Sequence, residues 1–137
     1  MSFLLDTNVV SELRKPQADA RVVSWASGLS MRDAFLSVVT VREIEAGVLS
    51  MERRDPSQGA RLRSWFLESV LGAYADRILS VDLAVARRTA TLHVPNPQPE
   101  RDSLIAGTAL VHGLTIATRN LSDFQAMAVD VFNPWSD

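Results

Sequence analysis

Five short apolar runs punctuate the chain: Phe3 to Leu5, Phe35 to Val39, Ile78 to Val81, Leu114 to Ala117 and Val129 to Phe132. None alternates apolar with polar positions as a half-exposed strand would, so the pattern predicts parallel strands covered on both faces. The stretches between them carry helical spacing. Val41, Ile44, Val48 and Leu49 fall at i, i+3, i+7 and i+8, and Leu62, Trp65, Phe66, Val70 and Ala73 repeat that period after Pro56. His112-Gly113 reads as the stop signal of a helix that opens near Asp102. Alternate prolines in Val94-Pro95-Asn96-Pro97-Gln98-Pro99 deny the backbone its donors and predict an extended loop. Strands alternating with helices give an α/β class: a three-layer α/β/α sandwich around a mostly parallel sheet of about five strands. Its functional edge belongs at the carboxyl ends of the strands.

No repeat, low-complexity tract or linker divides the sequence, so residues 1–137 are expected to form a single domain. A chain of this length buries roughly 70% of the surface it exposes when unfolded, enough for a core without staples. The absence of Cys excludes disulfides, thiol nucleophiles and Cys-ligated zinc, and His93 and His112 are too few and too far apart for a His-rich metal site. His112 is assigned to the helix stop and His93 to no role. A formal net charge of −2 excludes a global field for nucleic acid. Arg53, Arg54, Arg61 and Arg63, with the pair Arg87 and Arg88, leave room for a local phosphate-binding patch, although with a near-neutral total charge solvated helix faces are the better account of them. Met1 leads almost directly into Phe3 without a basic leader, and no apolar run approaches a membrane span. The expectation is a soluble, cytoplasmic protein with no membrane contact.

Carboxylates recur at one topological address. Asp6 follows the first strand in Leu5-Asp6-Thr7-Asn8, and Glu43 follows the second in Thr40-Val41-Arg42-Glu43. Asp102 stands in the acidic first turn of Glu100-Arg101-Asp102, and Asp123 follows the fourth strand after Thr118-Arg119-Asn120. Each has a structural explanation. Asp6 or Thr7 suits an N-cap, Thr40 and Glu43 form a capping box, Asp102 offsets a helix dipole, and Asp123 suits a turn. Glu45 rivals Glu43, because the two flank Ile44 symmetrically; proximity to the strand end favours Glu43. If the four converge, two carboxylates about 5 Å apart repel by about 3 kcal/mol at an effective dielectric of 20, so the cluster requires a counter-ion. Oxygen donors without Cys or His select a hard cation such as Mg²⁺ or Mn²⁺, and the chemistry becomes metal-assisted hydrolysis.

The ordered set Leu5-Asp6-Thr7-Asn8, Ser37-Val38-Val39-Thr40-Val41-Arg42-Glu43-Ile44, Asp102-Ser103-Leu104-Ile105-Ala106, Thr118-Arg119-Asn120 with Asp123-Phe124, and Asn133-Pro134-Trp135 resembles the PIN-domain ribonucleases. The likeness is to bacterial toxins of the VapC and FitB type, from type II toxin–antitoxin pairs, and spans nearly the whole chain. It implies a PIN-like fold whose catalytic set is Asp6, Glu43, Asp102 and Asp123, with Asp6 and Asp102 as metal ligands. It also implies Mg²⁺ as cofactor, with Mn²⁺ as a substitute, and RNA as substrate. A homodimer is implied too, silenced by a small cognate antitoxin in an assembly that binds operator DNA. Two features depart from the pattern: the stiff proline stretch 94–99, and Ser103 where Ala is common.

Two other readings compete. A non-catalytic PIN-like module binding RNA or protein would keep the fold and lose the ion. A receiver-like phosphotransfer domain is weakened because Asn8 stands where a second Asp is wanted and the only Lys, Lys15, lies away from a strand end.

Overall fold

A computed structural model describes residues 1–136. The strands are β1 (Phe3–Leu5), β2 (Ala34–Ser37), β3 (Ile78–Leu79), β4 (Thr115–Ala117) and β5 (Val131–Phe132), joined in one sheet of order β3-β2-β1-β4-β5. Every neighbouring pair is parallel. The chain moves outward from β1 to β3 and then returns to lay β4 on the other side of β1. That reversal leaves a crevice between the carboxyl ends of β1 and β4.

Successive residues of the strands face opposite sides of the sheet, and both sides are covered. Phe3, Leu5, Leu36 and Ala117 join one core with Val9 and Val10 of α1 (Thr7–Arg14), Val22 of α2 (Ala20–Ser27) and Ile44 and Val48 of α3 (Val38–Arg54). Leu4 and Ile116 join the other with Ile105, Ala106 and Ala109 of α6 (Glu100–His112) and with Phe124 and Met127 of a 3₁₀ segment, Leu121–Met127. Burial on both faces is why the strands carry no polar alternation.

The second strand is shorter than the apolar run Phe35 to Val39. Ser37 accepts a hydrogen bond from the Val39 backbone N–H (3.0 Å) and starts α3 at Val38. The cap overrides the strand preference of two β-branched residues because it satisfies an otherwise orphaned helix donor. The expected capping box at Thr40 does not form. Thr40 lies inside the helix, fully buried, its hydroxyl without a partner among the described residues.

Asp55 ends α3 and caps α4 (Pro56–Trp65), accepting from the Gln58 backbone N–H, with Pro56 at the first helical position. The single period expected over Leu62 to Ala73 is two segments: beyond Trp65 the helix widens to π geometry over Phe66–Gly72 and buries Phe66 and Val70. Arg63 leaves the basic patch suggested by its neighbours, pairing with Glu45 (2.7 Å) and Glu52 (2.8 Å) of α3.

After α5 (Leu83–Leu92), His93 ties down the proline stretch. Its Nδ1 accepts from the Gln98 backbone N–H (3.2 Å), which leaves Nε2 to donate to Ser103 Oγ (3.0 Å), itself bonded to the Glu100 carbonyl. Gly113 closes α6 in the left-handed region at φ 66°, as the stop signal requires. No helix among the described residues is long and apolar enough to cross a membrane.

α3 and α4 touch at Gly59, where an added Cβ would lie 2.4 Å from the Glu52 Cα and 2.7 Å from its nitrogen. Neither helix backbone can yield locally. Gly59→Ala is expected to cost about 1–3 kcal/mol of stability by overpacking, despite alanine's better helix propensity; a denaturant midpoint equal to or above that of the parent would contradict this contact.

Candidate active site

Asp6 occupies the crevice at the strand reversal. Its backbone N–H continues the sheet by donating to the Ala117 carbonyl (2.9 Å), and its carboxylate then caps α1 by accepting from the Thr7 backbone N–H (2.8 Å). The strand-end and capping readings of this residue are therefore one arrangement. The side chain is only 1% exposed, and an ionised carboxylate at that depth must be fully partnered. Thr118, the first residue past β4, donates its hydroxyl to Asp6 Oδ2 (2.8 Å) while accepting from the Asn120 backbone N–H (3.0 Å) and from Asn8 Nδ2 (3.3 Å). The polar residues after β1 and β4 thus interlock through one buried hydroxyl.

Glu43 and Asp102 reach the same crevice from α3 and α6, and one guanidinium joins all three carboxylates. Arg101 forks Glu43 through Nε (3.0 Å) and Nη2 (2.8 Å), bonds Asp102 Oδ1 through Nη1 (3.1 Å), and meets Asp6 Oδ1 through Nη2. The Thr7 hydroxyl donates to Glu43 from the other side. Glu45, the rival of Glu43, turns away to Arg63. Asp123 stands exposed in the first turn of the 3₁₀ segment after β4, and no hydrogen bond or ion pair among the described residues ties its carboxylate to the other three.

Sequence reading missed Arg101. The available signal was its position: a cation in the first turn of a helix opposes the dipole and calls for a separate reason to be there. Burial alone would weaken the guanidinium's hold on its proton, but the bonds to Glu43, Asp6 and Asp102 outweigh it and strengthen the charged form. Burial likewise pushes the Glu43 carboxyl up. Hydrogen bonds from Arg101 and Thr7, with the charges of Arg101 and Arg42, overcome that push and hold it below its ordinary value.

The donors suit a hard divalent cation, being carboxylate oxygens with hydroxyls behind them and no sulfur or imidazole. Among the described residues, however, no three metal-binding side chains are drawn together around one point. The carboxylates are instead spread around the fork of Arg101. Two open clefts flank Glu43: one of about 370 Å³ between α3 and α6, lined by Arg42, Arg101 and Leu104, and one of about 180 Å³ toward Arg14 and Trp65. A further hollow of about 340 Å³ over α4 contains none of these carboxylates.

A carboxyl whose pKa falls on folding stabilises the native state fully above its unfolded value and loses that contribution as pH drops through its folded value. For Glu43 the loss begins near its ordinary 4.5 and continues below it. Melting temperatures followed downward through this range should fall more steeply for the parent than for Glu43→Gln; parallel curves would mean that the Glu43 contacts add no pH-dependent stability.

The PIN domain family profile matches residues 3–129. Toxin FitB of Neisseria gonorrhoeae is 40% identical over 141 residues, covering 98% of this chain and 99% of that protein. VapC ribonuclease Y4jK of Sinorhizobium fredii is 37% identical over 141 residues, covering 97% of each. Among solved structures, FitAB bound to an IR36 DNA fragment superposes with a TM-score of 0.90 at 37% identity, over 98% of this chain and 96% of that one. With the family profile spanning residues 3–129 and these relatives matched over nearly their whole length, the chain belongs to the PIN domain family.

Proposed function

We propose that this chain, as a single PIN domain over residues 1–137, is an endoribonuclease that hydrolyses RNA phosphodiester bonds and serves as the toxin of a toxin–antitoxin pair. The observation that carries this reading is the gathering of Asp6, Glu43 and Asp102 at the strand reversal, between clefts bordered by Arg42 and Arg14. Buried carboxylates suit a metal, and arginines along the approach suit the phosphates of a polyanion. The names of the relatives, a toxin and a ribonuclease, support the same activity, and the DNA-bound FitAB structure supports partnership with a small antitoxin on operator DNA. The working unit in this reading is a cytoplasmic homodimer.

PIN ribonucleases generally work with a divalent metal, and Mg²⁺, or Mn²⁺ in its place, suits these donors. Asp6 and Asp102 would hold the ion. When bound, it supplies charge relief to the phosphodiester and makes water a competent nucleophile at neutral pH. Thr118 and the Thr7 backbone N–H fix the orientation of Asp6, and the Thr7 hydroxyl fixes Glu43. Asp123, exposed in the 3₁₀ segment that follows β4, completes the proposed catalytic set.

Purified protein incubated with RNA should cut only with Mg²⁺ or Mn²⁺ present and stop cutting in EDTA. Asp6→Asn should lower the rate by about a hundredfold or more, since disturbing even the groups behind a metal ligand costs 10- to 100-fold. Cleavage that persists in EDTA and in Asp6→Asn would contradict the site. Metal-dependent RNA binding without cleavage would identify the non-catalytic module instead.

A further inference from the structure

Arg101 stands where it can control the same site, provided that Asp6 and Asp102 are the metal ligands of the function proposed above. Every hydrogen-bonding nitrogen of the side chain is engaged: Nε and Nη2 with Glu43, Nη2 also with Asp6 Oδ1 and the Thr7 hydroxyl, and Nη1 with Asp102 Oδ1. One oxygen of each metal ligand is therefore taken by one guanidinium. One guanidinium bonds all three carboxylates, and Arg42 adds its charge only near Glu43, so Asp6 and Asp102 share a single cation between them, an imbalance that suits a dication better than a guanidinium. The arginine side chain is 33% exposed and borders the cleft between α3 and α6, so it has a way out that does not disturb the core. Glu43 is bound through both oxygens and is not one of the two metal ligands, so it can keep the guanidinium while Asp6 and Asp102 are released.

We propose that Arg101 is an internal competitor of the metal ion: it holds Asp6 and Asp102 in the arrangement seen here and swings outward, retained by Glu43, when an ion takes both. Metal affinity is then set by the difference between two cations contending for the same oxygens. Arg101 is a positioning residue in this scheme.

Calorimetric titration with Mn²⁺ of the full chain and its Arg101→Gln, Arg101→Lys and Asp6→Asn variants tests this without any activity measurement. Arg101→Gln should bind Mn²⁺ roughly tenfold or more tightly than the parent, the order set by losing one charge-assisted hydrogen bond. It should also melt lower without metal and gain more on saturation. Arg101→Lys keeps the charge but not the fork, should fall between the two, and decides the matter by the same criterion if the glutamine variant does not fold. Unchanged or weaker binding by the Arg101 variants, with binding lost in Asp6→Asn, would overturn the competition and leave the carboxylate site standing. Binding by Asp6→Asn as tight as the parent's, or no binding by any of the proteins, would overturn the site reading and the proposal with it.

Discussion

Three ionised carboxylates cannot share a hollow unless something positive stands among them. At about 5 Å each pair repels by about 3 kcal/mol even at an effective dielectric of 20, and Asp6 is almost wholly withdrawn from water. Arg101 meets that condition by bonding to all three acids at once. The rest of the crevice serves the same end. The Thr7 backbone N–H adds a second bond to Asp6 Oδ1, the Thr118 hydroxyl bonds Oδ2, and the first turn of α1 turns its dipole toward the charge.

That arrangement depends on a sheet only two to four residues deep. Short strands place their ends accurately only when both faces are packed. Phe3 and Leu5 are held from one side by α1 and α3, while Leu4 is held from the other by α6. Because α6 packs there, its first turn arrives at the carboxyl ends of β1 and β4 carrying Arg101 and Asp102 together. The tie from His93 to Gln98 and Ser103 fixes the loop that delivers this turn. A histidine with no chemistry of its own thus contributes to the placement of two charged groups.

Much of this was legible in the residues. The unalternating apolar runs indicated strands covered on both faces, Gly113 marked the end of α6, and the strand-end rule put Asp6 in the crevice. Local signals were weaker guides where two of them competed. Val38 and Val39 read as strand although Ser37 had already begun a helix, and Thr40 with Glu43 read as a capping box although the glutamate had a stronger partner 58 residues away. Glu43 and Glu45 are indistinguishable by periodicity and separate only because Arg63 takes one and Arg101 the other. The π-helical turns after Trp65 left no trace in the hydrophobic spacing. Arg101 is the instructive omission: its role is to answer charges that reach it from distant parts of the chain, which one-dimensional patterning cannot display.

The strand order also governs when the crevice can exist during synthesis. β1, the middle strand of the sheet, is made first, while its neighbour β4 is separated from it by more than a hundred residues. Until that late segment has left the ribosome, Asp6 has neither the Thr118 hydroxyl nor a settled α6 beside it. A nascent chain that stops short of β4 already carries Asp6, Glu43 and Asp102 and still has no finished pocket. The topology therefore withholds the charged hollow until the segment through β4 and Thr118 has been made, long after its first carboxylate.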